Sequence, residues 1–272
     1  AFGRCNVDAA AAQPVMHSDT LDADLERRFG GLRRLYGDAG YARLRAARVA
    51  VVGVGGVGSW AAEALARSGV AALALIDLDH VAESNVNRQV QALGRTLGQA
   101  KVLALRERIA DIHPGCEVMP VEEFVDEHNW PALLPPGIDV VIDACDQAKA
   151  KTALAAWALA GQHAFVTVGA AGGKRQAQRV DVQDLAEVTH DPLLASLRQR
   201  LRRTYGAARQ GRIGLRCVFS REAVSSPADA CASDGTLNCA GYGSSVTVTA
   251  TFDLVAAGEA LAQLMTGLPE PG

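Results

Sequence analysis

Residues 51–60 read VVGVGGVGSW, an apolar run that ends in Gly53, Gly55, Gly56 and Gly58 before alanine-rich sequence. Working outward, Arg48–Val52 is expected as a strand and Ser59–Ser68 as a helix closed by Gly69. Ala72–Ile76 is expected as a second strand, ending in Asp77 and Asp79. A β-loop-α-β unit of about 30 residues is the setting in which such a loop cradles phosphates with backbone amides. Gly53 permits the tight turn, Gly55 and Gly56 admit a polyphosphate close to the backbone, and Gly58 lets helix and strand approach. Asp77 can accept hydrogen bonds from both ribose hydroxyls. NAD and ATP meet these requirements equally, so the loop leaves both open.

Further along, apolar residues at 102, 105, 109 and 112 predict a helix over Gln99–Ile112. Strands follow at Glu117–Val121, Asp139–Ile142 and Ala164–Val168, with a helix at Lys149–Ala160. This alternation predicts an α/β, Rossmann-like fold: a mainly parallel sheet with helices on both faces. After Gly169 the pattern changes. Gln176–Val182 reads as a strand, Asp191-Pro192 opens a helix, Leu215–Phe219 is a short strand, and a last helix covers Ser244–Thr266. We expect one domain over 25–272, with a core at 48–168 and a C-terminal substrate-binding elaboration at 169–272.

Composition excludes several alternatives. The net charge of -3 gives no global attraction to nucleic acid, so such a partner needs a local basic patch. Ser244–Met265, the most apolar long stretch, carries Asp253 and Glu259 and reads as a buried helix rather than a membrane span. Residues 1–24 lack the long apolar region of a secretory signal and read as a poorly ordered extension, with Met16 an alternative start. The six cysteines include no C-x-x-C pair, which speaks against a zinc clasp and for reduced thiols in a cytoplasmic protein.

The choice between nucleotides comes from residues beyond the loop. Asn85, Asn87 and Arg88 follow the second strand, and Lys101 opens the next helix. A dehydrogenase has no use for a second cationic shell around phosphates. A site that cleaves ATP does, because charge on the transferred group and on departing pyrophosphate must be neutralised. Only 4 of the 272 residues are lysine, so Lys101 carries more weight here than Arg88 does. Asp143 and Asp146 end the fourth strand, at the edge where ligands of open α/β sheets gather. One is expected to cap the following helix and the other, Asp146, to hold Mg²⁺ against the phosphates.

GVGGVG, LIDLD, SNVNRQ, GQAK and DACDQ, in this order and spacing, resemble the ThiF/MoeB/HesA proteins, bacterial relatives of ubiquitin-activating enzymes. The resemblance runs from about Arg28 to Val168 and implies ATP-dependent adenylation of a carboxylate. It implies that Gly56, Asp77, Asn85, Arg88, Lys101 and Asp146 contact ATP and Mg²⁺. It also implies a homodimer in which an arginine before the first strand, Arg34 or failing that Arg28, reaches the partner's triphosphate. RFGGLRRLYG, HDPL at 190–193, LRCVFSREAV and VTATFDLVAAGEAL are similar to a tRNA-modifying branch of the family. That likeness implies cyclisation of N6-threonylcarbamoyladenosine beside the anticodon, through an adenylated carboxylate. It admits a monovalent cation, Na⁺ or K⁺, and a cysteine-desulfurase or sulfur-acceptor system as partner.

The acid-free stretch 198–216 holds seven arginines and offers Arg198, Arg202, Arg203, Arg209 and Arg212 to an RNA backbone. The alternatives are adenylation of a ubiquitin-like sulfur carrier and a nicotinamide dehydrogenase. Cys217, Cys231 and Cys239 are candidate acyl acceptors, set against the commoner fate of free cysteines as inert packing. His113 and His190 read as helix-end residues.

Overall fold

The protein was analysed as a computed structural model, which describes residues 24–225 and 242–268. Residues 1–23 of the expected extension and the candidate thiols Cys231 and Cys239 lie outside the described residues, and Asp24, the last residue of that extension, caps α1. Two N-terminal helices, α1 (Leu25–Phe29) and α2 (Gly31–Ala46), lead into β1 (Arg48–Val52), α3 (Ser59–Arg67) and β2 (Ala72–Ile76). Then come α4 (Lys101–Ile112), β3 (Glu117–Val121), β4 (Val140–Asp143), α5 (Ala148–Gly161) and β5 (Phe165–Val168). The C-terminal third supplies β6 (Val180–Asp184), α6 (Pro192–Thr204), β7 (Arg216–Ser220) and α7 (Val246–Met265).

The seven strands form one sheet in the order β3-β2-β1-β4-β5-β7-β6. All neighbours are parallel except β6 and β7, which are antiparallel. The chain runs outward from β1 through β2 to β3 and returns to the other side of β1 as β4. That reversal opens a crevice at the carboxyl ends of β1 and β4, where the fold class places its ligands. The central strands are apolar throughout because helices cover both faces. On one face Leu65, Leu105, Val248 and Phe252 pack against Val49 and Val51; on the other, Leu154, Leu197 and Leu201 pack against Ala50 and Val141.

The sheet therefore matches the expected fold class, with two adjustments. The sixth strand begins at Val180, not Gln176, because Ala177–Arg179 form a 3-10 turn that precedes it. The C-terminal third is also more than an elaboration. β7 lies inside the sheet, between β5 and β6, and α7 is a central core helix that shares its packing with β1. The expected buried helix at the C-terminus is that element. No described helix is long and apolar enough to cross a membrane.

Candidate active site

A cavity of about 590 Å³ opens at the carboxyl ends of β1, β2 and β4. Its size lies in the range of small-molecule and cofactor sites. Its lining includes Gly53, Gly55, Gly56, Asp77, Asp79, Arg88, Lys101, Phe124 and Asp146, together with Gly169–Gly172, Leu193, Tyr242 and Thr249.

The glycine loop is shaped by close approach. Gly53 has φ +85°, and a Cβ there would come within 3.0 Å of the Ala144 carbonyl group in the turn after β4. Gly58 has φ +107°, and a Cβ would collide with the Gly53 carbonyl oxygen. Gly56 also makes room for a neighbouring side chain. A side chain there would press at 3.0 Å on Cδ and Nε of Arg88, so the missing side chain makes room for the guanidinium arm.

Asp77 is buried, and its two carboxylate oxygens accept the backbone N–H groups of Val54 (2.8 Å) and Asp79 (2.9 Å). Each oxygen keeps lone-pair capacity for a ribose hydroxyl, but the residue first ties the glycine loop to the end of β2. Burial raises its carboxyl above the usual range, and Lys101 opposes that shift. Lys101 sits at the first position of α4, where the helix dipole disfavours a cation. Its ammonium is buried and donates to Asp79 Oδ2 at 2.7 Å, while Asp79 is half exposed to the cavity side. Arg88 donates to the Ser84 carbonyl (2.6 Å) and to Asn87 Oδ1 (2.9 Å), and the Trp60 indole donates to the Arg88 carbonyl at 3.0 Å.

Asn85 and Asn87 do not line the cavity. Asn85 Oδ1 caps its own turn by accepting from Ala82 N–H, and Asn87 Nδ2 donates to the Ser244 carbonyl. They hold in place the loop that carries Arg88.

The two aspartates after β4 divide differently from the expected cap and ligand. Asp143 does not cap α5, although its Oδ1 accepts the Cys145 N–H at 3.2 Å. It is fully buried and bound to Lys151 (2.7 Å) and Thr167 (2.6 Å), while the cap position of α5 belongs to Gln147. Asp146 is exposed and lines the cavity. No cluster of three or more His, Cys, Asp or Glu side chains among the described residues could hold a metal alone. A divalent ion at Asp146 would thus draw its other ligands from phosphate oxygens and water, the usual chemistry of Mg²⁺.

Arg34 lies outside this cavity, exposed on α2 with no side-chain partner among the described residues. Arg28 has a structural task, donating to the Asp111 and Ile112 carbonyls at the end of α4. The arginine run splits the same way. Arg198 donates to the Leu185 and Val188 carbonyls and Arg202 to that of Ala208, both within the fold. Arg212 is 72% exposed with Asp184 at 3.8 Å, and Arg203 and Arg209 are exposed with no ion pair among the described residues. Cys217 is fully buried, and burial pushes its thiol well up, as expected of an inert cysteine. His113 is the cap residue at the end of α4.

Several residues of the site escaped the sequence reading. Lys151 and Asp253 act through contacts 8 and 195 residues away, and Phe124 and Tyr242 reach the cavity from irregular segments. None stands in a spacing pattern. Only the proximity of Lys151 to the strand-end aspartates offered a signal.

Comparison with known proteins places this geometry. A family model described as "ThiF family" matches residues 28–271. The tRNA threonylcarbamoyladenosine dehydratase of Escherichia coli (strain K12) is 42% identical over 258 residues, covering 90% of this chain and 96% of the relative. A crystal structure of the E. coli tRNA N6-threonylcarbamoyladenosine dehydratase, TcdA, in complex with ATP matches with a TM-score of 0.82 at 42% identity, over 89% of this chain and 96% of that one. Its complex with AMP gives 0.82 and 41%, over 91% and 98%.

Proposed function

The chain belongs to the ThiF family, and from that premise we propose that it is an ATP-dependent tRNA threonylcarbamoyladenosine dehydratase. One geometric observation carries the reading. One cavity is lined both by the glycine loop with its two cations and by Gly169–Gly172, Leu193 and Tyr242. A nucleotide seated on the glycine loop therefore shares its cavity with the carboxylate substrate. The similar proteins bear the corresponding name along nearly their whole length, and two of their structures hold ATP and AMP.

Removing water from a carboxylic acid to close a ring requires a better leaving group than hydroxide. Adenylation supplies one: the threonyl carboxylate attacks the α-phosphorus of ATP and pyrophosphate departs. A heteroatom of the same side chain then attacks the activated carbonyl, expelling AMP and closing the ring. Lys101 and Arg88 neutralise the phosphate charge that develops, and their loss weakens the transition state more than the ground state. Asp77 takes the ribose, and the backbone of Gly53–Gly58 accommodates the phosphates. Asp146 would hold Mg²⁺, which would supply further charge neutralisation at the phosphates. Arg34, free on α2, serves the cavity of a second copy in a homodimer. Arg203, Arg209 and Arg212 meet the tRNA backbone. Such an enzyme works in the cytoplasm. A monovalent cation and a sulfur-transfer partner remain compatible additions.

The test is to incubate the protein with ATP, Mg²⁺ and tRNA carrying threonylcarbamoyladenosine, then digest the RNA and weigh the nucleosides. Loss of one water with release of AMP supports the proposal. An unchanged nucleoside, with a sulfur-carrier protein adenylated instead, overturns it in favour of the alternative.

A further inference from the structure

In dinucleotide-binding folds the first helix after the glycine loop points its N-terminal N–H groups at a pyrophosphate. Here α3 starts only at Ser59, and those groups are already taken. Asp253, from α7, accepts the Gly58 N–H at 2.6 Å and the Trp60 N–H at 3.0 Å. Its side chain is fully buried and has no cationic partner among the described residues. Burial pushes the carboxyl well above the usual range, so the helix end is what stabilises its charged form.

Among the N–H groups left in the loop, those of Gly56 and Val57 donate to no acceptor among the described residues and belong to residues lining the cavity. One turn before Asp253 on α7, Thr249 lines the same cavity. α7 therefore grips the loop from behind while its neighbouring turn faces the ligand.

We infer that Asp253 is a positioning residue for the nucleotide: it occupies the end of α3 in place of a phosphate and pins the loop. The polyphosphate is thereby seated on the Gly56 and Val57 amides and on Arg88 and Lys101. The inference rests on ATP being the nucleotide of this site. Adenosine, which ends at the ribose contact with Asp77, does not depend on this arrangement, whereas ATP and pyrophosphate both do.

The test measures binding of ATP, inorganic pyrophosphate and adenosine to the wild type, Asp253→Asn and Asp253→Ser by calorimetry, with ATP kinetics alongside. Serine is a smaller neutral polar side chain and guards against an asparagine variant that fails to fold. We expect ATP and pyrophosphate to weaken about tenfold, adenosine to stay within about twofold, and KM for ATP to rise with kcat nearly unchanged. Equal weakening of all three ligands, or unchanged ATP and pyrophosphate binding in a folded variant, overturns the inference. A wild type that binds no ATP refutes the underlying reading instead.

Discussion

Two lysine–aspartate pairs flank the candidate site, with the same N–O separation of 2.7 Å and opposite surroundings. Lys151 and Asp143 are both wholly buried. The Lys151 ammonium also donates to Thr167 Oγ1 (3.1 Å) and the Val168 carbonyl (2.9 Å), so its three protons are spent inside the protein. Lys101 is nearly as buried, yet its partner Asp79 is 53% exposed and its ammonium has one side-chain acceptor. A phosphate can compete with Asp79 for Lys101, and nothing can compete for Lys151. Bond length alone does not separate a ligand-binding cation from a structural one. The donors left over do.

The comparison can be broken most decisively at the buried pair. Lys151→Ala leaves Asp143 charged and unpaired and should cost about 3–5 kcal/mol of stability, read from urea unfolding. A variant as stable as the wild type would erase the distinction. At the other pair, Lys101→Ala should lower ATP-dependent turnover about 10²–10³-fold while the melting temperature moves little. Full activity there would remove the phosphate role.

The smallest effect lies away from both pairs and compares them with a buried base that has no counter-charge. Burial first, and then Arg45, hold His113 down at about 4. Arg45 donates to its Nε2 at 2.9 Å, and its Nδ1 has no partner among the described residues. The unfolded ring titrates near ~6.5, so the unfolded chain binds the extra proton between these values. The stabilisation is complete above about 6.5 and is lost as pH falls towards 4, on the order of 3 kcal/mol. His113→Asn should flatten that part of the urea midpoint against pH. An unaltered profile would show that the acid sensitivity arises elsewhere.

Much of this architecture was legible in the sequence. Arg48–Val52, Ala72–Ile76 and Glu117–Val121 are strands with the expected bounds, because short apolar runs between glycines and acids leave little freedom. Gly69 closes α3 with φ +73°, as its position implied. The edge strand β6 was misplaced because QAQRVDV alternates without a strong apolar face, so its register comes from β7 rather than from itself. In the site, residues near the glycine loop in sequence were found as a group. Asn85 and Asn87 stand apart from that group, since both carry the loop's hydrogen bonds and neither is among the residues that line the cavity. The arginine run shows the same gap: composition counted seven charges, and only packing reveals which of them already hold carbonyls.

The bond from Asp253 to Gly58 also has a consequence for the order of events at the ribosome. Its ends are 195 residues apart, so strands β1 to β5 can be synthesised and paired while the loop between β1 and α3 still lacks its anchor. Contacts of such separation form late because chain closure must precede them. A nascent chain stalled before Val246 would hold every glycine of the loop and none of α7, a sheet formed around an unfinished nucleotide seat.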